Sequence, residues 1–334
     1  MILALETSCD DTCAAVIDRA GVIHSNVISS QEVHGRFGGV VPELASRHHL
    51  ENVNAIVDEA LDRAAATLDD VSLVAVTQGP GLVGALLVGV ATAKAIAGAR
   101  RLDLAPVDHL QGHVAASFLP TPPGPALEPP FICLIASGGH TLLTRVDDFA
   151  AHSVLGATLD DAAGEAFDKG ARMLGLGYPG GPALSELARN GDPTAFAFPI
   201  AAGVPGLNFS FAGLKTSMLY RIRDLGEAEA GRRKADLAAS FEHAIVEALV
   251  ARVERALEAT GLDKLALGGG VAANSRLRER VAGLELGQIH IPPRELCTDN
   301  AAMIASAARW VVPVPFPGYL GLDAYATRPR AAAA

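Results

Sequence analysis

The sequence predicts a duplicated α/β architecture, and three observations predict it. First, ILALETS (2–8) reads as a strand running into a polar Ser/Asp turn, followed by the strands CAAVIDRAG (13–21) and GVIHSNVISS (21–30). Second, FICLIASGGHTLLTRV (131–146) restarts the same pattern of strand, polar turn and strand. Third, KLALGGGV (264–271) is a strand that ends in a glycine-rich turn before another helix, from about Asn274. This is the layout of the actin-like ATPase architecture, in which two α/β domains close on a nucleotide phosphate tail. Glycine-rich turns there let backbone N–H groups approach the anion.

The elements between these landmarks follow from their patterns. RHHLENVNAIVDEALDRAAATL (47–68) has helical periodicity, with Leu50, Val53, Ile56 or Val57, Ala60 and Leu61 on one side. VSLVAVTQGPG (71–81) is a strand ending in a Gly-Pro turn, and LVGALLVGVATAKAIAGA (82–99) a buried small-residue helix. The first half therefore reads β-β-β-α-β-α. The proline-dense LPTPPGPALEPP (119–130) reads as an exposed linker. In the second half ADLAASFEHAIVEALVARVERALEAT (235–260) is a long helix, and the Gly/Pro/Phe-rich stretch at about 157–220 reads as an insertion. The tail RPRAAAA has no core pattern. The expected division is a first domain at 1–108, with a C-terminal helix at about 299–325 packing back on it, and a second at 109–298.

Composition narrows the function classes. A chain of 334 residues, half of them hydrophobic and 19% charged, is ordered and long enough for two cores. No unbroken run of 18 apolar residues is present, so no membrane span is expected. The N-terminus turns acidic by its sixth residue, unlike a signal peptide, and a cytoplasmic location is expected. The cysteines Cys9, Cys13, Cys133 and Cys297 are too scattered for a disulfide framework and are expected to be reduced thiols. A net charge of −10 opposes binding to nucleic acid unless local patches override it. Such patches are Arg221 and Arg223, then Arg232, Arg233 and Lys234, then Arg276, Arg278 and Arg280.

Several constellations carry candidate chemistry. The glycines of SGGH (137–140) permit φ > 0 and close backbone approach to an anion, and would serve a plain hairpin turn equally. LGGGVAANSRLR (267–278) suits a phosphate or nucleotide, although it is neither a P-loop nor GxGxxG. In DDAAGEAFDKGARMLGLGYPGGP (160–182) the acids Asp160, Asp161, Glu165 and Asp168 fall at roughly helical spacing, which a solvated face explains, and the rigid Pro/Gly turn suits a ligand wall. In VDHLQGHVAASFL (107–119), His109 and His113 share one helix face at a spacing that two ligands of one metal ion use, or a structural pair. Leu110 stands where HExxH metalloproteases have their glutamate, and Asp299, before an apolar helix, is the best third ligand.

Taken together and in order, ETSCDDT, GGVVPELASRHH, GPGLVGALLVG, HLQGH, SGGHT, DDAAGEAFDKGARMLGLGYPGGP, FSFAGLKT, GGGVAANSRLR and CTDNAAMIA resemble the tRNA N6-adenosine threonylcarbamoyltransferase family, the TsaD proteins. The resemblance runs from Met1 to about Tyr325. It implies an actin-like ATPase (ASKHA, ribonuclease H-like) fold, two duplicated domains with a helical insertion. It also implies transfer of a threonylcarbamoyl group from threonylcarbamoyl-AMP to N6 of the adenosine 3′ of the anticodon, in tRNAs reading codons that begin with A. One divalent metal per subunit, iron or zinc, is implied on His109, His113 and Asp299. Ligand contacts are implied for Ile135, Ala136, Ser137, Gly138, Gly139, Asp168, Gly181 and Asn274, and a catalytic role for Asp10. Some relatives have Asp where Ser185 stands, so one ribose contact is not carried over. The implied partners are tRNA, a non-catalytic paralogue and a small ATPase. The competing classes are a metalloprotease, an ATP-dependent kinase or chaperone on the same fold, and a non-enzymatic scaffold.

Overall fold

Strand burial sets the first sheet. β1 (Ile2–Glu6) is buried at every residue, β2 (Asp11–Ile17) at all but its first, and β3 (Ile23–Ser30) alternates as an outer strand does. The short turn at 7–10 lets β2 return antiparallel to β1, whereas parallel neighbours need a crossover. Two helices supply the crossovers: α1 (Pro42–Arg63) precedes β4 (Leu73–Gly79), and α2 (Val83–Arg100) precedes β5 (Asp103–Asp108). The resulting order is β3-β2-β1-β4-β5. α3 (His109–Ala115) follows β5 directly. The computed structural model describes residues 1–120, 126–200 and 203–327. Linker residues 121–125 and the tail 328–334 lie outside the described residues.

The second sheet repeats the plan. β6 (Phe131–Ala136), β7 (Thr141–Val146) and β8 (His152–Ala157) form an antiparallel meander. Then come α4 (Ala163–Met173), α5 (Gly180–Ala188), α6 (Ala212–Arg232), broken at Gly226, and α7 (Lys234–Thr260). β9 (Lys264–Gly268), α8 (Ser275–Ala282), β10 (Gln288–His290) and the single turn α9 (Arg294–Cys297) complete it. The order β10-β9-β6-β7-β8 is the first sheet's order read from the other edge, with β6 in the place of β1. The duplication expected from the two polar turns is therefore present strand by strand. The stretch expected as an insertion contributes to this unit's core: Phe167, Leu184, Phe196, Phe198, Phe209 and Phe211 pack in one cluster with Ile132 and Leu134 of β6. Each such ring contributes roughly 1.5–3 kcal/mol by leaving water.

The last helix, α10 (Ala301–Ala308), is buried at all its residues, as an all-round apolar helix must be. It packs on β1, β2 and β3 and against α3. The chain thus divides into Met1–Leu127 with Asp299–Ala334, and Glu128–Thr298. That differs from the boundary expected after residue 108. α3 stays with the first unit because β5 runs straight into it and α10 covers it, Ser306 Oγ donating to the Ala115 carbonyl at 2.7 Å. α2 has the length and hydropathy to cross a bilayer, but Ala85, Leu86, Val90, Ala93 and Ala97 are core residues against β4 and α1.

The backbone also makes a close approach at β8. A Cβ on Gly156 would lie 2.1 Å from the Leu207 carbonyl oxygen. Gly156→Ala is expected to destabilise the second unit by about 1–3 kcal/mol, seen as a lower Tm in a thermal melt. An unchanged Tm would show that 207–208 can move aside without cost.

Candidate functional site

α3 carries the two histidines. Its N-cap Asp108 accepts from Leu110 N at 3.0 Å and Gln111 N at 3.2 Å through Oδ1, and from the Tyr325 hydroxyl at 2.9 Å through Oδ2. One helical turn separates His109 from His113, so both rings leave the same buried face, 4.7 Å apart and nearly perpendicular. Gly112 lets this face meet α10, since a Cβ there would stand 2.7 Å from Ile304 Cδ1. Asp299 sits just before α10, whose N-cap Asn300 accepts from Met303 N at 2.9 Å. Asp299 Oδ1 lies 3.5 Å from His109 Nε2 and 3.4 Å from His113 Nε2. One ligand atom from each of the three residues falls within 4.8 Å of the others, a set that can hold a metal ion.

The far side of His109 is also set. Strand alternation puts Leu3 and Leu5 against α1 and α2, and Glu6 on the opposite face with Ile2 and Ala4. Glu6 Oε2 lies 3.0 Å from His109 Nδ1, with Ser8 Oγ at 3.2 Å. A carboxylate only accepts, so Nδ1 donates to Glu6, and Nε2 is the nitrogen that faces Asp299 and is left for a metal. Glu6 is itself fixed by Thr77 Oγ1 at 2.6 Å and by Ser8 N.

Electrostatics favour a cation here. Burial opposes the charged form of His109, but the carboxylates of Asp299 and Glu6 outweigh it and push its pKa up to about 9. Burial, with His109 nearby, holds His113 below the usual histidine range. Burial raises Asp11 to about 7, and the charges of Asp299, Asp10 and Glu6 add to the rise. Among the described residues neither buried ring nitrogen of His113 has a partner with good hydrogen-bond geometry; its approach to Asp299 is a 3.4 Å contact. An unpaired buried group of this kind costs about 1–3 kcal/mol, and a metal at Nε2 would satisfy that nitrogen. Donor set and charge therefore fit a divalent ion. Asp10 is half-buried in the turn between β1 and β2, its carbonyl held by Gln31 N at 3.1 Å.

The implied ligand residues lie in the second unit. Ile135 and Ala136 end β6. In the turn that follows, Ser137 N donates to the His140 carbonyl at 2.8 Å and His140 N to Ser137 Oγ at 3.1 Å. Gly138 and Gly139 are exposed, neither has φ > 0, and a Cβ on either would meet nothing within 4 Å. The turn thus closes without left-handed backbone, contrary to one reason for expecting glycine there; what glycine leaves is open space. The strained position is Gly269, at φ +84°, where a Cβ would stand 2.4 Å from the Ala136 carbonyl oxygen. The late glycine run therefore passes directly beneath the end of β6.

Asp168 Oδ1 accepts from Gly180 N at 2.8 Å and Gly181 N at 3.2 Å, tying the Tyr-Pro-Gly-Gly turn to α4. Burial nonetheless raises its pKa. Asn274 caps α8, accepting from Leu277 N at 2.8 Å; its amide nitrogen donates to Ser185 Oγ at 2.9 Å and Glu242 Oε1 at 2.7 Å. Of the other acids Asp160 is exposed and Asp161 and Glu165 are partly so, and each is also bonded. Asp160 accepts from Ser210 Oγ, Phe211 N and Ala212 N, and these bonds overcome burial to lower its pKa. Asp161 and Glu165 pair with Lys169 at 2.8 and 2.9 Å.

Several of the basic patches are internally neutralised. Arg223 pairs with Asp224, Arg232 with Glu229, Arg233 with Asp236, and Arg280 with Glu247 and Glu254. Arg278 donates to the carbonyls of Ala272 and Pro292 and is structural. Sequence reasoning missed Glu6, Ser8, Thr77 and Tyr325. For Glu6 a signal existed: alternation in ILALE sets it apart from Leu3 and Leu5.

Residues 21–306 match the family model described as TsaD: tRNA N6-adenosine threonylcarbamoyltransferase. The chain is 53% identical over 313 residues to a protein of that name from Anaeromyxobacter dehalogenans, covering 92% of each. It is 50% identical to the one from Syntrophobacter fumaroxidans, over 92% of this chain and 93% of the relative. Among solved structures, HypF from T. kodakarensis superposes with a TM-score of 0.58 at 15% identity, over 92% of this chain and 47% of that one. Component A of the (R)-2-hydroxyglutaryl-CoA dehydratase of Acidaminococcus fermentans superposes with a TM-score of 0.54 at 14% identity, over 92% and 95%. At such identity these likenesses bear on the fold alone, which is the expected actin-like ATPase architecture.

His109→Ala is expected to abolish metal retention while the chain stays folded, by elemental analysis and circular dichroism. Glu6→Gln, which keeps the shape but weakens the hold on Nδ1, is expected to lower metal affinity about 10–100-fold. Unchanged metal content in both variants would remove this site from the account.

Proposed function

The chain belongs to the tRNA N6-adenosine threonylcarbamoyltransferase family, and from that premise we propose that it transfers a threonylcarbamoyl group from threonylcarbamoyl-AMP to N6 of the adenosine 3′ of the anticodon in tRNAs reading codons that begin with A. What carries this is 53% identity to a so-named relative over 92% of both chains. The convergence of His109, His113 and Asp299 supports it.

The chemistry asks for what these residues supply. The N6 amine is a weak nucleophile because its lone pair is delocalised into the ring, while the mixed anhydride is already activated with AMP as leaving group. The enzyme therefore has to position the two and stabilise charge at the carbonyl and phosphate. His109, His113 and Asp299 would hold one divalent ion, iron or zinc. Bound there, the ion supplies Lewis acidity and a fixed positive charge.

The exposed backbone of Gly138 and Gly139 offers N–H donors to the adenylate, with Ile135, Ala136 and Ser137 forming the base of that turn. Asp168 and Gly181 bind through the turn they lock together. Asn274 keeps its stronger, charge-assisted bond to Glu242 and can exchange the Ser185 bond for the ligand. Asp10 is the carboxylate we assign to the reaction. The protein acts on tRNA in the cytoplasm together with a non-catalytic paralogue and a small ATPase, whose surfaces compensate for a chain of net charge −10.

The test is reconstitution. The chain, its partners, threonine, bicarbonate, ATP and unmodified tRNA are expected to yield the threonylcarbamoylated nucleoside by mass spectrometry; no product from a metal-loaded complex would refute the assignment. Gly138→Val is the accompanying variant. A side chain at 138 meets open space, so Tm is expected to hold while adenylate affinity in calorimetry falls at least tenfold. Equal affinity would return the turn to a hairpin with no ligand role.

A further inference from the structure

We infer that His49 is a positioning residue for the transfer reaction: through the Cys9 carbonyl it fixes the turn that carries Asp10 and that touches the metal triad through Ser8 and His109. The inference rests on the assignment of Asp10 given above.

His49 lies on the buried face of α1, with Ala45 and Val53, and is itself fully buried. A buried imidazole needs partners at both nitrogens. His49 Nε2 is 3.0 Å from the Cys9 carbonyl oxygen. A carbonyl only accepts, so Nε2 carries the hydrogen. Nδ1 is then a lone pair, and it accepts from Thr12 Oγ1 at 2.8 Å. One neutral tautomer satisfies both contacts, in keeping with burial lowering the His49 pKa.

The next carbonyl is held as well. Gln31 N donates to the Asp10 carbonyl at 3.1 Å. The Gln31 side chain is anchored in turn: its Nε2 donates to the Ala45 carbonyl at 3.3 Å, and its Oε1 accepts from His34 Nε2 at 2.9 Å. Val41 N donates to His34 Nδ1 at 3.3 Å, which fixes that ring's tautomer too. Two consecutive carbonyls of the 7–10 turn are thus gripped from α1 and from the segment after β3.

A hairpin link between two strands needs no such grip for stability alone. A core histidine would equally be satisfied by a neighbouring helix carbonyl. Here its acceptor is the turn that holds Asp10, and β2 beyond that turn reaches Asp299, Cys13 Sγ lying 3.6 Å from the Asp299 carbonyl oxygen. His49 bonds to the Cys9 carbonyl and Thr12 rather than to a metal ligand, and Thr77 holds Glu6 against His109 independently of the turn, so loosening His49 acts on Asp10 before the triad.

Two variants decide the matter. His49→Leu keeps the apolar packing and removes the donor. His49→Gln places an amide N–H near the position of Nε2, so it restores the bond to Cys9. In the reconstituted complex His49→Leu is expected to lower kcat about 100-fold, as an ångström-scale misplacement does, with bound metal and KM for the adenylate unchanged. His49→Gln is expected to recover most of that loss. Hydrogen exchange in a peptide spanning residues 8–13 is expected to quicken in the leucine variant and not in the glutamine variant. If His49→Leu slows transfer only in proportion to lost folded protein, if glutamine fails to rescue, or if exchange at 8–13 is unchanged, the inference is overturned. If the wild-type complex makes no product, the functional assignment fails instead, and the exchange comparison alone decides whether His49 holds the turn.

Discussion

Glu6 is a fully buried carboxylate at the end of the central strand of its sheet, and a carboxylate in that position must be bonded on every side. Thr77 and the backbone of Ser8 take part of it; His109 Nδ1 takes the rest. That last bond orients the ring and aims Nε2 at Asp299. The constraint reaches outward from there. β1 must be central for Glu6 to be buried, and β2 must return by a short turn, which brings Asp10 and Cys13 close by. α3 must carry glycine at 112 so that α10, with Met303 and Ile304 against it, can bring Asp299 to the histidines.

The two units solve different problems with one topology. In the first, side chains converge, and burial, with their negative charge adding to it, raises the pKa of Asp11. In the second, backbone converges: Gly269 passes under Ala136, the first turn of α4 abuts Ser137, and Asp168 draws the Gly180–Gly181 amides onto α4. Converging backbone suits a ligand that must be oriented through its phosphate and carbonyl oxygens. Converging carboxylates and imidazoles suit a cation. The same strand order serves both because each sheet delivers a polar turn between its first two strands.

Much of this was legible in the sequence. Repetition of strand, polar turn and strand exposed the duplication. The four-residue spacing of His109 and His113 exposed a shared face, and Asp299 before an apolar run exposed the third member. What was not legible depends on partners distant in sequence. Nothing in ETSCDDT says that Glu6 meets a histidine 103 positions away. Nothing in NSRLR says that Asn274 is already committed to Glu242. The SGG glycines suggested left-handed backbone because that is glycine's commonest use, yet here they leave room. The boundary after residue 108 failed because a helix that follows a strand without a break belongs with that strand's sheet.

The measurement closest to the centre of the account is anomalous diffraction at the absorption edge of a divalent metal soaked into crystals of the protein. The account requires one peak at about 2.0–2.2 Å from His109 Nε2, His113 Nε2 and an Asp299 carboxylate oxygen, with Glu6 still on His109 Nδ1. A peak elsewhere, or a metal bound through His109 Nδ1 with Glu6 displaced, would contradict it.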